Sequence, residues 1–596
     1  QRRRPPGARG CHGTHGEHGR RAAPASAASP GSCAGLDWLP RRRARIPCTN
    51  HLADSRRARP PPSDRAHTAD AAFNVVRARD ASPFAPMRAL MALAMAAATL
   101  VAAPAAARTL AASPAPSPAV QVTDGKPPFK WGVANSAFQV EGANEVDGRG
   151  PSIWDKWIAD KYALPDGSPI DHYRLWERDV QVMKDLGIST YRFSLSWPRL
   201  LPTGRGAINQ KAVDHYGKLL DALNDAGITP LVGLNHFDLP MALQEEYGGW
   251  VSPRVVDDFG AYAAAAFKAL GGKAKHWLTL NEPKNMASLG YGIGVHAPFQ
   301  KDPSGADQWA AAFHMLEGHA AAVKAFKKQN IKGGTVGIAL DCEHVLPLDP
   351  DSQADKDAAQ RYIDFRLGAF ADPIWFGKWP DSVKERVPAN ILPAIPANLS
   401  SFFKDNKPET FYLNHYTTKV VWFKAGATNG YGDGAGEFGE RYETADGKPL
   451  GPVGDSKWLY VYPQGLRATL NYVNKRYKPK DMVLSESGVD GPGESKLEGD
   501  AAIDDTFRTD YFKGYVQAAV DAVEKDKVPL SLYIGWSLLD GLEWQEGMTK
   551  RFGIVYTNEK KERIPKKSAL WLATKFGTLN KGGGAPAPAA AKAPAP

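Results

Sequence analysis

Cysteine is scarce in this 596-residue sequence. Cys11, Cys33 and Cys48 lie near the start, and Cys342 is alone after them. The chain beyond residue 48 therefore has no intrachain disulfide and no zinc site built from paired thiolates, so its core must hold without cross-links. Cys342, in an apolar segment, is expected to be a core residue. Long apolar runs are also missing. The only extended one, Ala89–Ala103, spans 15 residues, short of the roughly 20 that a membrane span needs. No glycine-rich phosphate loop follows any strand-like run, which argues against a dinucleotide-binding sheet. Lysine is absent from residues 1–86. That stretch holds 16 arginines and six acids, and so carries the whole net charge of +10. Residues 87–596 balance at 58 basic and 58 acidic side chains. A nucleic-acid reading would rest on the leader alone, and none is expected of the body of the chain.

What is present begins at Met87. Met87-Arg88, the apolar run to Ala103, and Ala105-Ala106-Ala107 are the charged, apolar and small-residue parts of a secretory signal peptide. Such a signal acts at a nascent N-terminus. Residues 1–86 are thus expected to be an untranslated or disordered leader, residues 87–107 the signal, and the mature protein periplasmic or extracellular. Residues 108–126 read as an Ala/Pro linker and 579–596 as a Gly/Pro/Ala tail.

Between the tails, strand-like apolar runs alternate with amphipathic ones. The strand candidates are 129–139, 189–197, 229–237, 274–281, 335–342, 409–416, 481–486 and 530–538. Helical runs include 174–187, 210–227, 254–270, 308–329, 463–477, 505–526 and 566–576. In 210–227, Val213, Tyr216, Leu220 and Leu223 form one apolar stripe, and Gly227 stops it. Eight such units predict a single (β/α)8 TIM barrel over 127–578, with long βα loops and disordered tails on either side. Polar and aromatic residues collect at the C-terminal ends of the strands, where a barrel builds its site: Gln139, Arg192, His236, Asn281-Glu282, Asn414 with Tyr416, Glu486, Trp536 and Glu543-Trp544. Two carboxylates, Glu282 and Glu486, converging on a mouth lined with amides and tryptophans suit a polyhydroxylated ring.

These residues stand in motifs. Residues 129–142 (FKWGVANSAFQVEG), 279–283 (TLNEP), 484–488 (LSESG), 536–544 (WSLLDGLEW) and 551–553 (RFG) occur in the order found in the family 1 glycoside hydrolases. The chain resembles that family of β-glucosidases and relatives across nearly all of 127–578. The resemblance implies Glu486 as nucleophile and Glu282 as acid/base. Arg192 and Tyr416 would hold Glu486 ionised, and Asn281 would bond the sugar 2-hydroxyl. Gln139, His236, Asn414, Tyr416, Glu543 and Trp544 would contact the sugar, with Trp536 stacking on the ring and Trp458 in the outer wall. Departures from the family pattern are Ser487, Gly541, Leu542, Asn235, Phe237 and His415. None removes a catalytic group.

The expectation is a retaining β-glycosidase, first a β-glucosidase, needing neither metal nor organic cofactor and taking a small β-glucoside or oligosaccharide. The alternatives are a β-galactosidase or β-fucosidase on the same machinery, or a non-catalytic sugar-binding barrel. Cleavage after Ala107 predicts that N-terminal sequencing of the exported protein begins at Arg108, and peptides from 1–86 in that material would count against it.

Overall fold

Eight short strands carry the architecture of the structure, a computed structural model that describes residues 125–427 and 436–578. These residues all belong to the unit Ala106–Pro596. The expected leader, signal peptide and C-terminal tail, and all but the last two residues of the expected linker, lie outside the described residues. The strands are β1 (Lys130–Asn135), β2 (Thr190–Ser194), β3 (Thr229–Asn235), β4 (His276–Asn281), β5 (Thr335–Asp341), β6 (Thr410–Asn414), β7 (Asp481–Ser487) and β8 (Leu530–Trp536). They form a closed parallel ring in which β8 returns to β1, with Ala134 opposite Trp536. Covering both faces of a parallel sheet demands apolar residues on both, and all five residues of β2 are buried.

The helices fall where the periodicity puts them: α1 (His172–Asp185), α2 (Gln210–Asp225), α3 (Arg254–Leu270), α4 (Ala306–Gln329), α5 (Pro463–Tyr477), α6 (Thr506–Glu524) and α7 (Lys567–Phe576). On α2, Tyr216, Leu220 and Leu223 are buried, while Val213, near the helix start, is only half-buried. Gly227, at φ +72°, takes the left-handed turn that ends the helix. The β5–β6 connection adds helices Gln353–Ile363 and Ala369–Phe376, joined through a π turn at Asp364–Gly368, and then Ala397–Asp405. The loops after β5 and β6 also contribute the small sheet of His344–Pro347, Thr418–Phe423 and Phe438–Arg441.

Several strands end sooner than expected: β1 at Asn135 rather than 139, β3 at Asn235 rather than 237, β8 at Trp536 rather than 538. The reason is local. Ala137–Val140 coils into one helical turn whose first N–H donates to Ser194 Oγ (2.8 Å). Phe237 (φ 70°) and Glu282 (φ 46°) take left-handed backbone as the chain leaves the ladder. Glu282 thus stands on a turn just past the sheet, whereas Asn281, Asn414, Glu486 and Trp536 stand at or near the ends of the strands themselves.

Large aromatics fill the core in place of cross-links. Trp131, Trp154, Trp197, Trp250 and Trp277 are among the largest fully buried side chains, and Cys342 is a buried free thiol. One charged cluster is buried with them. Arg508 on α6 bonds Glu494 (3.0 Å) and Asp505 (2.7 Å), and Lys566 bonds Glu494 (2.6 Å) and Asp540 (3.1 Å). Through Asp540 it clamps the loop after β8. Removing one member of such a cluster strands the others without compensation, so Arg508→Met is expected to lower stability by about 3–5 kcal/mol, read as a fall in the urea midpoint.

Candidate active site

The C-terminal ends of the strands open into a cavity of about 850 Å³. His236, Asn281, Glu282, Asn414, Tyr416, Trp458, Glu486, Trp536, Glu543 and Trp544 all line it. Arg192 and Gln139 are buried but do not form its wall. Arg192 reaches from β2 across the barrel. Its Nη1 donates to the Ser485 carbonyl (2.9 Å) and to Glu486 Oε1, and its Nη2 to Asn281 Oδ1 (2.5 Å). Tyr416 donates its hydroxyl to Glu486 Oε2 (2.6 Å). Both oxygens of Glu486 are therefore held by donors.

Asn414, at the end of β6, joins the two glutamates. Ser485 Oγ donates to its Oδ1 (2.7 Å), fixing which way the amide points. Its Nδ2 donates to Glu282 Oε1 (2.8 Å) and Asn281 Oδ1 (3.1 Å), and Glu486 stands opposite it in the β6–β7 register. Asn285 donates to Glu282 Oε2 (2.8 Å) from three residues on, across the short helical turn Pro283–Asn285. Asn281 Nδ2 lies 3.1 Å from His236 Nε2. An amide N–H can only donate, so His236 accepts there and carries its proton on Nδ1. Burial, followed by the charge of Arg192, holds His236 well below the usual imidazole range, so it is neutral.

Burial raises both glutamates, and the neighbours then separate them. Arg192, Tyr416 and Asn414 draw Glu486 back down. For Glu282, Asp341 and Glu486 add to the effect of burial and push it well above the ordinary range. Both stay above the ordinary range, Glu282 further, so Glu282 is the better proton holder and Glu486 the one whose anion has donors to stabilise it. Glu543 is pushed up to about 8, first by burial and then by Asp490 and Glu486.

Gln139 supports the wall from behind. Its Nε2 donates to the Leu542 carbonyl (2.8 Å) and to Glu543 Oε2 (3.3 Å), and its Oε1 accepts from Ser136 (2.7 Å). The aromatic residues form one stack, with His236 near-parallel to Trp536 (5.5 Å, 15°) and to Trp544 (6.0 Å, 15°). Trp458 stands at the rim, 41% exposed and edge-on to Tyr416 (5.8 Å).

The unusual motif residues have local partners. Ser487 bonds the hydroxyls of Tyr511 (3.0 Å) and Tyr533 (3.1 Å), and His415 Nδ1 meets the Cys342 carbonyl (2.8 Å). Gly541 passes so near the Gln139 carbonyl that a Cβ would come within 2.9 Å. Asn285, Asp341, Glu343, Arg366, Lys419 and Glu440 also reach the cavity without having been singled out from the sequence. Asn285 had a signal, its three-residue spacing from Glu282. Asp341 ends β5 outside any motif, and the others come from loops and the small sheet, where no periodicity points at the mouth. No group of three His, Cys, Asp or Glu residues among those described could hold a metal ion.

Two buried carboxylates on strands separated by two others, one with cationic and phenolic donors and the other without, and with aromatic platforms beside them, are the equipment for cleaving a glycosidic bond. The fold and site are those of a glycoside hydrolase. Residues 126–579 match the profile of glycosyl hydrolase family 1, and the chain belongs to that family. Beta-glucosidase 42 of Arabidopsis thaliana is 39% identical over 456 residues, covering 74% of this chain and 92% of the relative. A family 1 β-glucosidase from the fungus Humicola insolens, solved in complex with glucose, superposes with a TM-score of 0.72 at 38% identity, over 76% of this chain and 98% of that one. A mutant rice β-glucosidase in a covalent complex with glucose gives the same TM-score at 34% identity, over 76% and 100% of the two chains.

A carboxyl whose folded pKa lies above its unfolded one stabilises the protein at low pH, and that contribution is lost as pH rises through the folded value. For Glu543 the window runs from the ordinary glutamate range near 4.5 to about 8. Glu543→Gln is expected to gain stability relative to wild type across that window, measured as urea midpoints at pH 5 and pH 8.

Proposed function

We propose that the protein is a retaining β-glucosidase that releases terminal β-linked glucose by double displacement. The supporting observation is that Glu282 bonds the side chain of Asn414, the residue opposite Glu486 in the sheet, while only Glu486 is bonded to a cation. Two carboxyls flanking one residue in this way favour the separation of about 5–5.5 Å used in double displacement over the roughly 6.5–9.5 Å that leaves room for an inverting water.

In the first step a Glu486 oxygen attacks the anomeric carbon. The bond to the leaving oxygen breaks, and that oxygen takes the proton of Glu282. In the second step Glu282, now ionised, accepts a proton from water. The resulting hydroxide displaces Glu486 from the opposite side, so two inversions give net retention. Arg192 and Tyr416 keep Glu486 ionised and aimed. Asn281 has both its oxygen and one Nδ2 hydrogen committed, which leaves the other hydrogen for the sugar 2-hydroxyl. Glu543, Trp544, His236 and Trp536 take the remaining hydroxyls and the apolar ring face, with Gln139 bracing Glu543. Glu543 offers no cation to a phosphorylated sugar. Export to the periplasm or the medium is part of the same proposal, supported by the signal-like segment from Met87 to Ala107.

Glu486→Gly is expected to lower kcat on an activated aryl β-glucoside by at least roughly a thousandfold. Added azide should restore turnover with α-glucosyl azide as product. A β-configured azide, or retained activity, would refute Glu486 as the nucleophile.

A further inference from the structure

Three lysines are buried among the described residues: Lys284, Lys419 and Lys566. Lys419 pairs with Glu440 (3.0 Å), and Lys566 with Glu494 (2.6 Å) and Asp540 (3.1 Å). Lys284 differs. Among the described residues no carboxylate lies at ion-pair distance from it, and its hydrogen bond goes to the side chain of the next residue, Nζ to Asn285 Oδ1 (3.3 Å). Burying a cation without a direct counter-ion is costly, and this one stands two residues from the acid/base. Burial draws Lys284 down to about 7. Arg366 on the π turn and Lys419 on the small sheet push the same way, while Asp341 at the end of β5 and Glu343 just after it favour the charge. Below that value it is an ammonium.

An ammonium can only donate, and an amide oxygen can only accept. Lys284 thus takes the oxygen of Asn285 and turns the nitrogen to Glu282, where Nδ2 donates to Oε2 (2.8 Å). Asn414 does the same for Oε1 (2.8 Å), its own oxygen taken by Ser485 Oγ (2.7 Å). Each oxygen of Glu282 is met by an amide, and each amide is pinned from behind. The direction matters because the two ends of an amide have the same shape and opposite chemistry. With nitrogen toward Glu282, the carboxyl keeps its proton for the leaving oxygen. Turned about, Asn285 Oδ1 would accept that proton in a hydrogen bond and hold it away from the substrate.

We propose that Lys284 and Asn285 are positioning residues for the proton donor: Lys284 fixes the Asn285 amide, and the amide fixes the Glu282 carboxyl with its proton free for the leaving oxygen. Asn285 reaches the cavity wall, whereas Lys284 stands behind it and acts through Asn285. The proposal rests on the β-glucosidase reading and assigns a role within that reaction.

The test compares phenyl β-glucoside, whose leaving group needs a proton, with 2,4-dinitrophenyl β-glucoside, whose leaving group does not, at about pH 6. Lys284→Met keeps the bulk and removes the donor. It should lower the phenyl-to-dinitrophenyl ratio of kcat/KM about tenfold, a fraction of what a general acid supplies. Asn285→Ala should lower the ratio by a similar factor, and the double variant no further than Asn285→Ala alone. Lys284→Gln, which can turn either a donor or an acceptor to Asn285, should fall between wild type and Lys284→Met. Burial, Asp341 and Glu486 raise Glu282, and the bonds from Asn414 and Asn285 lower it. Loss of the Asn285 bond should therefore move the basic limb of kcat/KM for the phenyl compound to higher pH. A merely structural role would lower both substrates together and leave that limb in place. An unchanged ratio, equal losses on both substrates, or additive losses in the double variant would overturn the proposal. If Lys284→Met does not fold, a wild-type ratio in Lys284→Gln overturns it. Wild-type turnover of the dinitrophenyl compound separates the two failures: with it, only the positioning role falls; without it, the β-glucosidase reading falls as well.

Discussion

The guanidinium of Arg192 is the contact on which the site depends. From β2 it reaches the Ser485 carbonyl and the Glu486 carboxylate on β7, and the Asn281 amide at the end of β4. These strands are not neighbours in the ring, so a single planar fork fixes their distances across the barrel interior. A flexible ammonium could not supply that geometry. A buried cation is tolerable only when its hydrogens are met by acceptors, and a buried carboxylate only when a donor meets it. Each solves the problem of the other, and Asn281 and Asn414 are oriented as a result. Closure of the barrel makes this possible, because an open sheet has no interior across which one side chain could bridge such strands.

From that contact follows the asymmetry of the two glutamates. Both are buried, and burial raises both. The difference lies in the neighbours. Glu486 has a guanidinium and a phenol, whereas Glu282 has two amide donors and, close by, the carboxyl of Asp341. One wall of the cavity therefore favours an anion and the other a neutral acid.

Much of this could be read from the residues in order. The β-rich runs, the stripe on α2 and its stop at Gly227 carry their periods in the chain itself, and Glu282 and Glu486 stand in motifs at strand ends. Other features had no local signal. Asp341 is one acid at the end of an apolar strand, with no motif around it. Arg366, Lys419 and Glu440 lie on a π turn and on a small sheet formed only when the loops after β5 and β6 meet. Gln139 stands in a site motif yet braces Glu543 from behind, because the chain coils into a helical turn one residue after β1 ends and carries the side chain off the cavity wall.

By itself the sequence determined the barrel, its eight repeated units, the two carboxylates and the amides and aromatics beside them, since alternating periods and short motifs are local properties. Tertiary structure alone decided which carboxyl lies beside a cation, and which residues line the cavity and which stand behind it. Those outcomes depend on distances across the barrel and on the removal of water from its mouth, and neither exists until the ring has closed.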